Sequence, residues 1–130
     1  IENCYAYGAV SATKGGVGGI LGQIDKSCDI AIKNSAAWSN LTGVDASSTV
    51  GRIVGVSASL GSYETCYACE SIVLKVNEKT ITASDESSAT GTTFHGVAKS
   101  AEELGNIIVA WNPNLWKKGT NGYPIFQWSE

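Results

Sequence analysis

Ile1-Glu2-Asn3-Cys4-Tyr5-Ala6-Tyr7-Gly8-Ala9-Val10 opens the chain and is written three times. Its echoes are Ile32-Lys33-Asn34-Ser35-Ala36-Ala37-Trp38-Ser39-Asn40-Leu41, 31 residues on (32 − 1), and Tyr63-Glu64-Thr65-Cys66-Tyr67-Ala68-Cys69-Glu70-Ser71-Ile72, another 31 on (63 − 32). A fixed period of this size predicts a stack of similar coils. Inside a copy, Cys4, Ala6, Gly8 and Val10 alternate with Tyr5, Tyr7, Ala9 and Ser11, the period of a strand.

Stacking the copies turns positions into columns. Cys4, Ser35 and Cys66 make one; Ala6, Ala37 and Ala68 make a second of small residues; Val10, Leu41 and Ile72 make a branched apolar third. These read as inward layers. Tyr5, Ala36 and Tyr67 point the other way, as do Tyr7, Trp38 and Cys69. Glu2, Lys33 and Glu64 form an alternating charge ladder, the order adjacent strands favour. Glu2 and Cys4 share a face by simple alternation, so a bend is expected at the Asn3, Asn34, Thr65 column, where Asn tolerates the left-handed region.

A Gly-rich segment, Gly15-Gly16-Val17-Gly18-Gly19-Ile20-Leu21-Gly22, follows the first copy and returns as Val50-Gly51-Arg52-Ile53-Val54-Gly55, offset by 33 (55 − 22). The two extra residues fit a loop at Asp45-Ala46-Ser47-Ser48. The segment lacks the Gly-Lys-Ser/Thr ending of a phosphate loop and no helical pattern follows it, so its glycines are read as corners and close approaches.

The third copy is irregular. Leu74-Lys75-Val76 and Thr80-Ile81-Thr82 flank Asn77-Glu78-Lys79 as a hairpin or a long corner, Ser84 to Thr93 reads as a loop, and Gly96 stands where a third Gly turn is expected. Ser100 and Glu103 form a capping-box pattern for a short helix ended by Gly105, with Ile107 to Trp111 as a strand beyond it. The stretch from Trp111 to Trp128 holds three of the four Trp and both Pro and shows no period. The expected organisation is thus a repeat region, 1–98, and a capping segment, 99–130. The expected fold is all-β: a short right-handed parallel β-helix of three to four turns with an irregular Trp-rich C-terminal cap, a β-sandwich being the alternative.

Apolar residues at 43% exclude a disordered chain, and no apolar run approaches the ~20 residues of a membrane span. The net charge of −3, with no basic cluster beyond Lys117-Lys118, argues against a nucleic-acid partner. The chain holds no Met and starts on the first residue of a copy, so it is expected to be a mature or excised piece, continued N-terminally by a larger chain.

Asn3-Cys4-Tyr5-Ala6-Tyr7-Gly8 followed by Val17-Gly18-Gly19-Ile20-Leu21-Gly22, together with Trp116, Gly122-Tyr123-Pro124 and Trp128 at the end, resembles the GLUG family, Gly-rich repeats of bacterial surface proteins. The resemblance implies a right-handed parallel β-helix in a secreted or cell-surface, adhesin-like protein, with no catalytic residue set and no cofactor.

Candidate chemistry is sparse. The four cysteines, Cys4, Cys28, Cys66 and Cys69, read chiefly as buried thiols packing as small apolar groups; a disulfide from Cys28 to Cys4 or Cys69, and a zinc site of Cys66, Cys69 and His95, are weaker readings. His95 has no evident Ser or Asp partner. A carbohydrate-active β-helix enzyme, lyase or glycosidase, would need clustered acids, for which Asp25, Asp29 and Asp45 are the candidates. The surface best suited to a ligand is aromatic: Tyr5, Tyr7, Trp38 and Tyr67 could stack on a host glycan or contact a protein, unless the tail folds back over them. The expected function is a non-enzymatic, extracellular or bacterial cell-surface module that binds glycan or protein or acts as a spacer.

Overall fold

The computed structural model describes residues 1–26, 28–57, 61–86 and 93–129. The first copy contains β1 (Glu2–Ala12), β2 (Gly16–Gly18) and β3 (Leu21–Ile24); the second contains β4 (Ala31–Gly43), β5 (Thr49–Gly51) and β6 (Val54–Ser57). The third supplies β7 (Ser62–Cys69), then β8 (Leu74–Val76) and β9 (Lys79–Ile81). β10 (Val97–Lys99) leads into α1 (Ala101–Trp111), and β11 (Trp116–Lys118) and β12 (Pro124–Phe126) close the chain.

The sequence offsets are the sheet registers. Cys4 lies opposite Ser35 and Ser35 opposite Cys66, with β1, β4 and β7 parallel. The 33-residue offset recurs as Leu21 opposite Val54 and Gly16 opposite Thr49. Asn3, Asn34 and Thr65 have φ of 55°, 47° and 55°, so the bend column sits in the left-handed region in all three copies. Lys33 Nζ meets Glu64 at 3.5 Å along the exposed charge ladder.

The expectation of a parallel β-helix is corrected. Parallel pairing joins copies one and two at all three strand positions, but copies two and three only along the first. After Cys69 the register slips by two, so Leu41 faces Leu74 (74 − 41 = 33) and not Ile72. Asn77 and Glu78, at φ 49° and 66°, then reverse the chain into the antiparallel β8–β9 hairpin. Where a third Gly-turn strand would continue a coil, Phe94 pairs antiparallel with Val54. The main sheet is therefore mixed, β11–β12 is antiparallel, and the architecture is all-β with mixed and antiparallel sheets rather than a propagating solenoid. Of the expected loop from Ser84 to Thr93, residues 87–92 lie outside the described residues.

α1 begins as the capping box predicts: Ser100 Oγ accepts from the Glu103 N–H and Glu103 Oε2 from the Ser100 N–H. It does not end at Gly105, and Ile107 to Trp111 are helix, not strand. Leu104 and Ile108, one turn apart, are both fully buried and carry the helix on. Gly105 is required by contact, since a Cβ there would lie 2.8 Å from the Gly122 carbonyl oxygen.

Three cores result. Ala37, Ala68 and Cys66 of the first two inward columns, with Ile32, Ile53, Val54, Tyr63 and Phe94, make the first. Cys66 lies in it, and burial pushes its thiol pKa to about 11. The outward columns make the second: Ala36, Trp38 and Cys69 pack against Leu104, Ile108 and Trp116. Val17, Leu41, Val50 and Leu74 make the third. β4 is the hub, buried on both faces along most of its 13 residues.

Candidate functional site

The four aromatic residues singled out in the sequence lie on one side of the sheet, but they are not a free surface. Trp38 is 8% exposed beneath the C-terminal segment. Tyr5 sits edge-on to Trp38 (5.9 Å) and to Trp116 (5.5 Å), and its hydroxyl donates to the Pro124 carbonyl at 2.6 Å. Burial pushes its phenol pKa up. Tyr67 stacks on Trp111 at 6.4 Å, with Lys99 Nζ 5.9 Å from its ring centre. Tyr7 alone remains open, at 65% exposure.

At the margin of this cover lies a cleft of about 350 Å³ lined by Trp38, Ala101, Glu102, Lys118, Asn121, Gly122 and Tyr123. β4 supplies Trp38, the first turn of α1 supplies Ala101 and Glu102, β11 supplies Lys118, and the turn before β12 supplies the rest. Tyr123 joins the cleft to the open ring, lying 5.2 Å from Trp38 and 4.6 Å from Tyr7. A hydrogen bond with the Tyr7 side chain, then burial, holds the Tyr123 phenol above its usual pKa. The cleft therefore offers aromatic rings, a carboxylate, an ammonium and an amide. The Trp38 indole N–H is buried without an acceptor among the described residues, which is costly by about 1–3 kcal/mol.

Sequence reasoning named Trp38 and Tyr7 but missed Glu102, Lys118, Asn121 and Tyr123, because the aperiodic tail gives no pattern by which to place them. A second aromatic feature lies nearby: Trp116, Phe126 and Trp128 stack in series at 4.6 Å, leaving Trp128 71% exposed.

The other candidates are placed apart. Cys66 faces the first core and Cys69 the second, so Cys66, Cys69 and His95 do not assemble a metal set. Among the described residues no three His, Cys, Asp or Glu side chains gather to hold a metal ion. Asp25 and Asp29 lie exposed before β4, and Asp45 accepts from the Ser47 N–H and hydroxyl in the inserted loop.

His95 belongs to a clamp around Arg52, which is 6% exposed. Arg52 donates through Nε to the His95 carbonyl (3.1 Å) and through Nη2 to the Gly96 carbonyl (2.8 Å) and Asp85 Oδ1 (3.2 Å). The Arg52 N–H donates to His95 Nδ1 at 3.2 Å, which requires an unprotonated Nδ1. Burial, partly opposed by Glu86 and reinforced by Arg52, lowers the His95 pKa below its ordinary 6.5. The unfolded chain then takes up the proton more readily than the folded one. Stability present above pH 6.5 is accordingly lost as pH falls through the folded value. Asp85, held low by the Ala98 N–H and by Arg52, adds a further loss at lower pH. Urea midpoints measured from pH 8 to pH 4 should fall in acid, and His95→Asn, which keeps an acceptor for the Arg52 N–H, should flatten the upper part of that fall.

No family model matches the chain. No curated protein matches it. A solved structure does. It is described as the "crystal structure of a putative immunoglobulin A1 protease from Bacteroides ovatus", is 99% identical over 99% of this chain, and superposes with a TM-score of 0.95. The chain spans only 38% of that structure's chain, so these residues correspond to one segment of a longer protein. No helix among the described residues is long and apolar enough to cross a membrane.

Proposed function

We propose that this segment is a non-catalytic, glycan-binding module of a longer secreted or surface-exposed protein. The observation that carries the reading is the cleft itself: Trp38 and Tyr123 beside Glu102, Lys118 and Asn121, with the open ring of Tyr7 at its edge. Aromatic faces match the apolar C–H faces of sugars, and the charged and amide groups are donors and acceptors for hydroxyls. The likeness of Asn3 to Gly8 and of Val17 to Gly22 to GLUG repeats supports an exported setting. The protease description of the matched structure is a statement about that longer chain, and in this reading any proteolytic centre lies outside residues 1–130.

A glycan array followed by calorimetry should show saturable binding without product release. Tyr7→Ala removes a ring that is largely solvent-exposed, so the unfolding midpoint should hold while affinity falls about five- to ten-fold, the worth of about 1 kcal/mol of ring contact. Immunoglobulin A1 incubated with the segment should stay intact. Absence of any glycan ligand would defeat the binding reading. Turnover of a polysaccharide or of the immunoglobulin, lost on changing Asp25, Asp29 or Asp45, would defeat the non-catalytic one.

A further inference from the structure

Among the described residues the three strands of the first copy each pair on one side only, with the second copy: β1 with β4, β2 with β5 and β3 with β6. All three open edges therefore lie on the side away from the second copy. Along β1 that edge is eleven residues long, interrupted by positive φ only at Asn3 and Gly8, and it carries few of the usual safeguards of a sheet edge: no Pro, no Lys, and a single charge, Glu2.

The side chains on this side are also unfinished. Cys4 is exposed, whereas Ser35 and Cys66 in the same column are buried at 0% and 4%. Val10 is 38% exposed, whereas Leu41 opposite it is at 0%. Leu21 is half-buried while its partner Val54 is at 0%. Each column is sealed wherever a neighbouring strand covers it and open only at this end. In the crystallised chain that these residues match, most of the polypeptide lies outside the match.

We propose that the outer edge of β1 is an intramolecular docking surface, covered in the longer chain by an extended strand from outside residues 1–130. The interface would continue the one β1 already makes with β4. Its occupant should present small or branched apolar side chains opposite Cys4 and Val10. The Glu2, Lys33, Glu64 alternation calls for a cation opposite Glu2.

The test uses the longer chain in its native state, treated with a maleimide and read peptide by peptide in a mass spectrometer. A Val44→Cys variant supplies an accessible reference thiol, since Val44 is 53% exposed. Cys4 should react about 100-fold more slowly than that reference, and equally fast only after denaturation. Amide exchange of residues 4–10 in the unsubstituted longer chain should be as slow as that of residues 35–41. Modification of Cys4 at the reference rate, or rapid exchange of residues 4–10, would overturn the proposal. Protection that disappears on dilution together with a dimer would assign the edge to a second copy and overturn it equally.

Discussion

Ala37→Trp is expected to leave too little stability for a folded population to be measured under mild denaturing conditions. Ala37 is 0% exposed, lies opposite both Ala6 and Ala68 in the parallel ladders, and faces Gly19 across the first core. A Cβ on Gly19 would already sit 2.7 Å from the Ala37 Cβ, so there is no room even for a methyl group on that side. Neighbouring strands stand about 4.8 Å apart and cannot separate locally without breaking the ladder. Overpacking typically costs about 1–3 kcal/mol and more where nothing can move, and an indole here should exceed about 4 kcal/mol. A domain of this size has only about 5–15 kcal/mol in total. A urea midpoint within experimental error of the parent would show that the small-residue column does not face inward.

Gly55→Val is the second severe case, and it tests the contact between the two Gly-rich segments. A Cβ at Gly55 would run into the Val17 N–H, and would lie 2.6 Å from the Gly22 carbonyl oxygen and 2.7 Å from the Gly16 carbonyl carbon. All three are backbone atoms, so no side-chain rotation relieves the clash. Either β5 and β6 move away from β2 and β3, or the strands lose their pairing. The expected loss is about 3–5 kcal/mol, in the range kept for named structural failures. Gly22→Ala is the matching control: its nearest contact, the Gly16 carbonyl oxygen at 3.0 Å, is tight but singular, and about 1 kcal/mol is expected. Equal midpoints for the two variants would contradict the close backbone approach.

Much of this was legible before any coordinates. The offsets of 31 and 33 reappear as strand registers because identical positions in successive copies need the same neighbours. The Asn3 column was marked by a conflict between alternation and charge, and the left-handed φ values resolve it. What misled was continuation. Of the two readings of Leu74 to Thr82 the hairpin is the one observed: Asn77 and Glu78 adopt positive φ and fold the chain back, which ends the parallel stacking that the repeat predicts. Gly105 looked like a helix stop, yet Leu104 and Ile108 share one buried face and override it.

The site was legible in part, for a physical reason. Periodicity located Tyr7 and Trp38 on the outward face, since it reports which face a strand residue takes. It could not report what covers that face. Tyr123, Lys118 and Asn121 reach the cleft through tertiary packing of an aperiodic tail, and Glu102 sits in the first turn of α1, where helix formation alone accounts for an acid. Arg52 left no trace either, because most of its partners are backbone carbonyls, which every residue possesses.

The most direct test of the proposed function is an amide and indole nuclear magnetic resonance titration of the segment with the best glycan from the array. The largest shifts should fall on the Trp38 indole N–H and on the backbone of Glu102, Lys118, Asn121 and Gly122, with Tyr7 beside them. Saturating shifts confined to Phe126 and Trp128, or to the outer edge of β1, would contradict the assignment of the cleft as the ligand site.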